Sequence, residues 1–318
     1  MPDATTAQRD RVLAEIFALA FVAVVASAAY KTGIILFLFP ELAALSHDVM
    51  IRPRGRWARQ PVRLILTPVL TAVAGILTSR HFSYGVGSIL LVVAVSMAII
   101  ALLRSDIGPA FSAGVLPLAL NEKSWVYPIA IFIGLVALVM LLRFRIALGF
   151  GMENHAPSAD PTSIDDALEE APHSRLGMLH MAAFVAFLAS MSRYTGLRLI
   201  LFPPLVVMSY EVFGHPEIPE WLRKLPHFPV VCVISAAVGI ATVKLWGPTV
   251  LGVIVTVGLS MVMLRIARMH MPPVLAIGLL PYIVKGPRLW YPVAVGIGTC
   301  TLMVWFAMRA RMSRLSFS

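Results

Sequence analysis

Apolar residues in this chain come in long blocks separated by short polar punctuation. In the first half the blocks cover about 12–30, 33–50, 61–79, 84–103, 108–120 and 124–143. Most of them have the length that carries a helix across a hydrocarbon core roughly 30 Å thick. Two are irregular. The stretch "GIILFLFPELAALSHDVM" has Pro40 in its middle, and "GPAFSAGVLPLAL" is short and interrupted by Pro117. An interior proline removes a backbone hydrogen bond and crowds the preceding turn, so the pattern predicts two broken helices among six membrane segments.

The same pattern returns at a constant offset of 164 residues, since 204 minus 40, 221 minus 57 and 292 minus 128 all give that value. Pro109, Gly114, Pro117, Tyr127 and Pro128 fall on Pro273, Gly278, Pro281, Tyr291 and Pro292, and Gly75, Arg104 and Arg145 fall on Gly239, Arg268 and Arg309. Shared composition would align Leu and Val by chance, but not Trp, Pro, Tyr and Arg together. The predicted organisation is an N-terminal segment 1–11, a membrane repeat 12–146, a polar acidic linker 147–176, a second repeat 177–310 and a short tail 311–318. The run ending in "VASAAY" has the small residues of a signal-cleavage site. Its internal copy, ending at Tyr194, makes a retained helix the expectation.

Basic residues decide how the irregular segments run. If every segment crosses and the N-terminus is cytoplasmic, 18 Lys and Arg lie on the cytoplasmic side against 7 outside; if the irregular ones re-enter, the count becomes 10 against 15. Basic residues concentrate on the cytoplasmic side, so crossing is expected. Six crossings per half make the repeats parallel. The expected fold is thus an all-α polytopic membrane protein of two parallel tandem repeats, in a bacterial inner membrane with both termini cytoplasmic.

Composition agrees: the 318 residues are 59% hydrophobic and 13% charged. The net charge of +10 sits in short runs between apolar blocks, which argues for topology rather than nucleic-acid binding. Cys232 and Cys300 lie in apolar segments without metal-ligand spacing, and packing is their expected role. Gly85, Gly87 and Ser88 are expected to let helices pack. No metal or other cofactor is predicted.

Non-helical backbone survives at membrane depth only where protein buries it or where it lines a cavity. Broken helices at matched places therefore predict a cavity between the repeats. Pro109, Pro204 and Pro273 are expected to open half-helices whose unbonded N–H groups and positive dipole ends favour an anion. Glu41 follows Pro40, either to cap that half-helix or to act as a protonatable group; the second half has Leu205 there. Arg198 and His270 flank the openings at Pro204 and Pro273, Arg198 either snorkelling or pairing with an anion. Pro204, Leu205, Arg198, Glu41, Pro109, Pro273 and His270 are the candidate substrate-binding residues. Gly114 and Gly278 are expected at the interface between the repeats.

"HMPPVLAIGLLP", "LILFPPLVVMSYEVFGHPEIPEWLRK" and the intervening "VISAAVGIATVKLWGPTVLGVIVTVGLSMVMLRIARM" together resemble the HPP family of integral membrane proteins. The likeness covers about 179–309, and the first half through the repeat. Met271 interrupts the His-Pro-Pro motif, and the first half has Asp106-Ile107-Gly108-Pro109 in its place. The resemblance implies membrane transport, with nitrite a proposed substrate of some members. A lipid-modifying enzyme would call for clustered acids or a nucleophile with a base, and DDxxD, HExxH and GxSxG are absent from the sequence. A non-catalytic scaffold or receptor subunit remains an alternative. The major-facilitator fold ranks below, because the loop "DVMIRPRGRWAR" lacks that family's motif order.

Overall fold

A helix that is apolar on every side has to be buried in protein or in lipid. The computed structural model describes residues 4–149, 174–215, 225–269, 271–284 and 289–315, and among them no strand occurs. Its main helices are α1 (Ala4–Thr32), α2 (Glu41–Ile51), α3 (Pro61–His81), α4 (Val86–Leu102), α5 (Ala110–Leu120) and α6 (Val126–Ala147). They are followed by α7 (Arg175–Thr195), α8 (Pro203–Gly214), α9 (Phe228–Trp246), α10 (Val250–Ile266), α11 (Pro273–Ile283) and α12 (Tyr291–Leu315). Among the described residues, α1, α3, α6, α7, α9 and α12 are long and apolar enough to cross a membrane. Their outward faces stay apolar: Leu66, Leu70 and Leu77 on α3 and Ile129, Ile133 and Met140 on α6 are exposed. This is an all-helical integral membrane protein.

The short helices are the opposite case. Every residue of α8, and every residue of α2 from Glu41 to Met50, is buried. Long helices form the lipid-facing shell and short ones fill the middle. α2 packs on α1 and α6, α5 on α3 and α4, and across the halves α5 meets α8 and α11 meets α2. α1 also packs on α10 while α7 packs on α4.

Contacts along the long helices fix the depth of the short ones. The Ala110 carbonyl at the start of α5 accepts from Thr71 Oγ1 at 2.7 Å, and Thr71 lies ten residues from either end of α3. Beyond the end of α5, the Lys123 carbonyl accepts from Arg80 Nε at 2.8 Å, at the far end of α3. α2 begins beside α5, where Ser112 Oγ donates to Glu41 Oε1, and ends where Arg145 Nη1 donates to the Met50 carbonyl. Hence α2 and α5 both start near mid-depth and run to opposite ends of the bundle. The stretch 33–51 crosses the protein as a short 3-10 turn, Ile35–Phe37, plus the half-helix α2.

Positions 164 residues apart share local geometry. Ser235 Oγ donates to the Val274 carbonyl at 2.9 Å as Thr71 does to Ala110. A Cβ on Gly75 would stand 2.2 Å from the Gly114 carbonyl oxygen, and one on Gly239 2.1 Å from that of Gly278. Gly114 and Gly278 do permit close approach, but within their own halves: a Cβ on Gly114 would meet Ser96 and Val92 of α4, and one on Gly278 Thr256 of α10. The contacts they allow are of α5 with α4 and α3 and of α11 with α10 and α9, so the expectation of a repeat-interface role is corrected.

The prolines also act differently from the pattern's suggestion. Pro40 stands directly before α2 rather than inside a helix, whereas Pro117 and Pro281 lie within α5 and α11 without ending them. A proline at 117 leaves the Ala113 carbonyl without its helical donor. Tyr127 Oη supplies one at 3.0 Å, and Tyr291 Oη does the same at 2.8 Å for Ile277, the carbonyl orphaned by Pro281. The repeated Pro and Tyr are one device. Two smaller expectations change as well. Ser88 Oγ accepts from the Gly85 N–H at 3.0 Å and caps α4 rather than packing helices, and Cys300 is exposed while Cys232 is buried.

Candidate functional site

Four short helices begin in the interior, each opened by proline. Pro273 is the first residue of α11 and Pro204 the second of α8, while Pro109 and Pro40 stand immediately before α5 and α2. α8 starts where Leu205 meets Gly298 on α12, the added Cβ lying 2.7 Å from Leu205 Cδ2, and ends where Arg309 Nη1 donates to the Phe213 carbonyl at 3.1 Å. It therefore descends along α12 as α2 descends along α6. Arg145 and Arg309 each satisfy a carbonyl of the last turn of a half-helix, where intrahelical donors run out and the dipole is negative.

The helix starts offer less bare N–H than the sequence suggests. The first turns close tightly: Leu42 N donates to the Phe39 carbonyl at 3.0 Å, Phe111 N to Gly108 at 3.1 Å, Leu205 N to Phe202 at 2.9 Å and Val274 N to Met271 at 3.0 Å. What remains is the summed dipole of each helix, a fixed positive end in a dry interior.

At the start of α2 that positive end faces a carboxyl group. Glu41 is 2% exposed; Oε1 accepts from Ser112, which is fully buried, and the buried Oε2 has no hydrogen-bond partner. Burying one charge costs several kcal/mol. A helix end returns up to roughly 2 kcal/mol, and a hydrogen bond to a charged group roughly 1.5–3 kcal/mol. The opposing terms are of one size. In the second half the expected counterpart Leu205 is corrected to Pro204. Leu205 N bonds the Phe202 carbonyl as Leu42 N bonds Phe39, and Leu205 meets Gly298 as Leu42 meets Gly134. Buried Pro204 therefore stands where Glu41 does, and buried Ala276 replaces Ser112. Acid and hydroxyl disappear together.

A second group of ionisable residues lies toward the Arg52 end. Asp48, buried on α2, pairs with Arg52 at 3.3 Å. Glu211 on α8 is buried, and its Oε1 would lie 3.6 Å from a Cβ placed on Gly108. Asp106 accepts from Gln60 Nε2 at 2.7 Å through its carboxylate and from Trp57 Nε1 at 2.8 Å through its carbonyl. Sequence reasoning passed over Ser112, Asp48 and Glu211. Asp48 and Glu211 interrupt apolar runs just as Glu41 does and occupy equivalent places on α2 and α8, so that signal was available; Ser112 is betrayed only by changing to Ala276 in step with Glu41 and Pro204.

Arg198 stands apart. It is exposed, its guanidinium lies 5.4 Å from the centre of the Tyr84 ring, and its carbonyl accepts from Tyr84 Oη at 3.2 Å. With Trp290, Tyr291 and Ala294 it lines a small open depression. The structure thus brings Glu41 and Pro109 together through Ser112, buries Pro204, Leu205 and Pro273 at the equivalent starts, and leaves Arg198 at the surface. His270 lies outside the described residues. No family model matches this chain, and neither does any curated protein or any solved structure.

Proposed function

We propose that this protein moves a small inorganic anion of the nitrite kind across a bacterial inner membrane, as two parallel tandem repeats with the substrate path between them. The observation that carries the proposal is the set of proline-opened half-helices starting in the interior, whose positive ends offer an anion a place that lipid and apolar side chains do not. α8 and α11 are the favoured pair, because Pro204 and Ala276, standing where the first half has Glu41 and Ser112, leave their starts without a resident carboxyl group. The shared hydrogen bonds at positions 164 apart and the crosswise contacts of α1 with α10 and α7 with α4 support the repeat. The resemblance to the HPP family points the same way. Both termini and the 147–176 linker are assigned to the cytoplasm on the distribution of Lys and Arg.

Purified protein in liposomes, offered nitrite, nitrate and chloride, is expected to take up nitrite or nitrate well above protein-free vesicles. Folded protein that moves none of the three would leave the half-helices with a packing role in a membrane scaffold. Orientation is checked separately: in a cysteine-free background, Ser83→Cys is expected to react with an impermeant reagent from outside and Ala58→Cys to stay unlabelled.

A further inference from the structure

We propose that Glu41 is a proton-binding site that couples anion movement to proton movement, which rests on the transport function proposed above. The sequence leaves Glu41 open between a cap and a titrating group; the geometry selects the second. The Glu41 backbone N–H faces its own carboxyl as in a cap, but the acid also takes the Ser112 hydroxyl of another helix on Oε1 and keeps Oε2 buried without a hydrogen-bond partner, which a cap alone does not require. Among the described residues no Lys, Arg or His forms an ion pair with Glu41, whereas Asp48 on the same helix is paired with Arg52. A proton is the ligand that such an oxygen lacks.

The surroundings leave that proton with few competitors. From α5 the group facing Glu41 is Ser112, and the Tyr127 and Tyr291 phenols of α6 and α12 feel its charge. On α1 and α11, which also pack against α2, Tyr30 Oη is buried without a hydrogen-bond partner and Tyr282 is hydrogen-bonded to Thr242 at 2.8 Å. α2 itself carries His47 and Asp48 near its other end.

Coupling follows from placement. An ionised Glu41 is a tethered anion at one positive helix start, and a substrate anion at the neighbouring starts is repelled by it. Two like charges in one low-dielectric interior disfavour double occupancy. Protonation lifts that penalty. A monovalent anion then travels with one proton: the carboxyl takes the proton on the side of entry, loses it on the side of release, and the cycle moves no net charge. Lower pH on the loading side favours loading, because the neutral acid is the form that admits the anion.

The test uses full-length protein in liposomes with a pH-sensitive dye trapped inside and nitrate outside, since nitrous acid crosses bilayers unaided. Wild-type nitrate entry is expected to acidify the lumen and to proceed without valinomycin and potassium. Glu41→Gln, which cannot ionise, is expected to lose at least tenfold of the acidification per nitrate moved and to need valinomycin for its nitrate flux. Wild-type entry without acidification, or unchanged acidification in Glu41→Gln, overturns the coupling. A second readout needs no transport: infrared difference spectra of purified protein on pH titration. A protonated-carboxyl band present in wild type, absent in Glu41→Gln and shifted in Ser112→Ala supports the site even if nitrate does not move, in which case the transport proposal alone fails. A wild-type titration without a band that Glu41→Gln removes overturns the site itself.

Discussion

The two halves share a frame and differ at its centre. Gly75 meets Gly114 as Gly239 meets Gly278, Tyr127 serves Pro117 as Tyr291 serves Pro281, and Arg145 closes α2 as Arg309 closes α8. Against that sameness, Glu41 and Ser112, which bond each other at the starts of α2 and α5, become Pro204 and Ala276 at the starts of α8 and α11. The frame obeys packing and backbone hydrogen bonding, which both halves must satisfy. The crossing is free to diverge, and a polar pair kept in only one half is a sign of use rather than of support.

The sharpest way to break the comparison is to give the second half the first half's acid. Pro204→Glu places a carboxyl group at the position equivalent to Glu41, in a half where Ala276 has no hydroxyl to donate, and is expected to cost roughly 3–5 kcal/mol if charged, with loss of anion flux. Adding Ala276→Ser should recover about 1 kcal/mol of that loss without restoring flux. Melting in detergent and uptake by liposomes measure the two effects separately. Equal flux in Pro204→Glu and wild type would remove α8 from the anion path.

Next in size are changes that test the sameness. Gly75→Ala and Gly239→Ala each drive a Cβ into a backbone carbonyl, and each is expected to destabilise by about 1–3 kcal/mol. The two melting shifts should agree, because the distances, 2.2 and 2.1 Å, do. Arg145→Met orphans the buried Met50 carbonyl and is expected to cost about 1–3 kcal/mol. Arg309→Met should cost less, since Arg309 is half-buried and water can reach its end of the bundle. Smallest is Arg198→Gln: an exposed cation over an aromatic ring is worth about 0.5–1 kcal/mol. A drop in nitrite flux of about twofold that fades at high salt would mark Arg198 as an attracting charge at the surface rather than a ligand in the path.

The frame was largely legible in the sequence. Block length announced the long helices, and the constant offset announced that whatever Pro117 and Tyr127 do, Pro281 and Tyr291 do again. What they do was not legible, because periodicity cannot say which carbonyl a phenol ten residues downstream will reach. Proline in the middle of an apolar block likewise reads as a break, yet Pro117 is carried inside α5 and Pro40 sits before α2. Gly114 was legible as a point of close approach but not in its partner, since α3 and α5 are joined only by the fold. At the crossing, Glu41 was visible as an ionisable residue in an apolar run. Its dependence on Ser112, 71 residues away, was not. Arg198 misled for a related reason: nearness in sequence to Pro204 does not bring an exposed side chain to a buried helix start.

The phenol that serves each interior proline also bears on how the chain is made. Until Tyr127 is in place, α5 would enter the bilayer with the Ala113 carbonyl unbonded, at a cost of several kcal/mol in hydrocarbon. Tyr127 lies at the beginning of α6, the very next helix, so the missing donor arrives only when that helix has emerged from the ribosome. α5 and α6 therefore insert as a hairpin, and so do α11 and α12. Chains arrested on the ribosome so that α6 is still in the exit tunnel are expected to leave α5 at the membrane surface, and longer ones to bury it; a glycosylation acceptor at Asn121 would report the change.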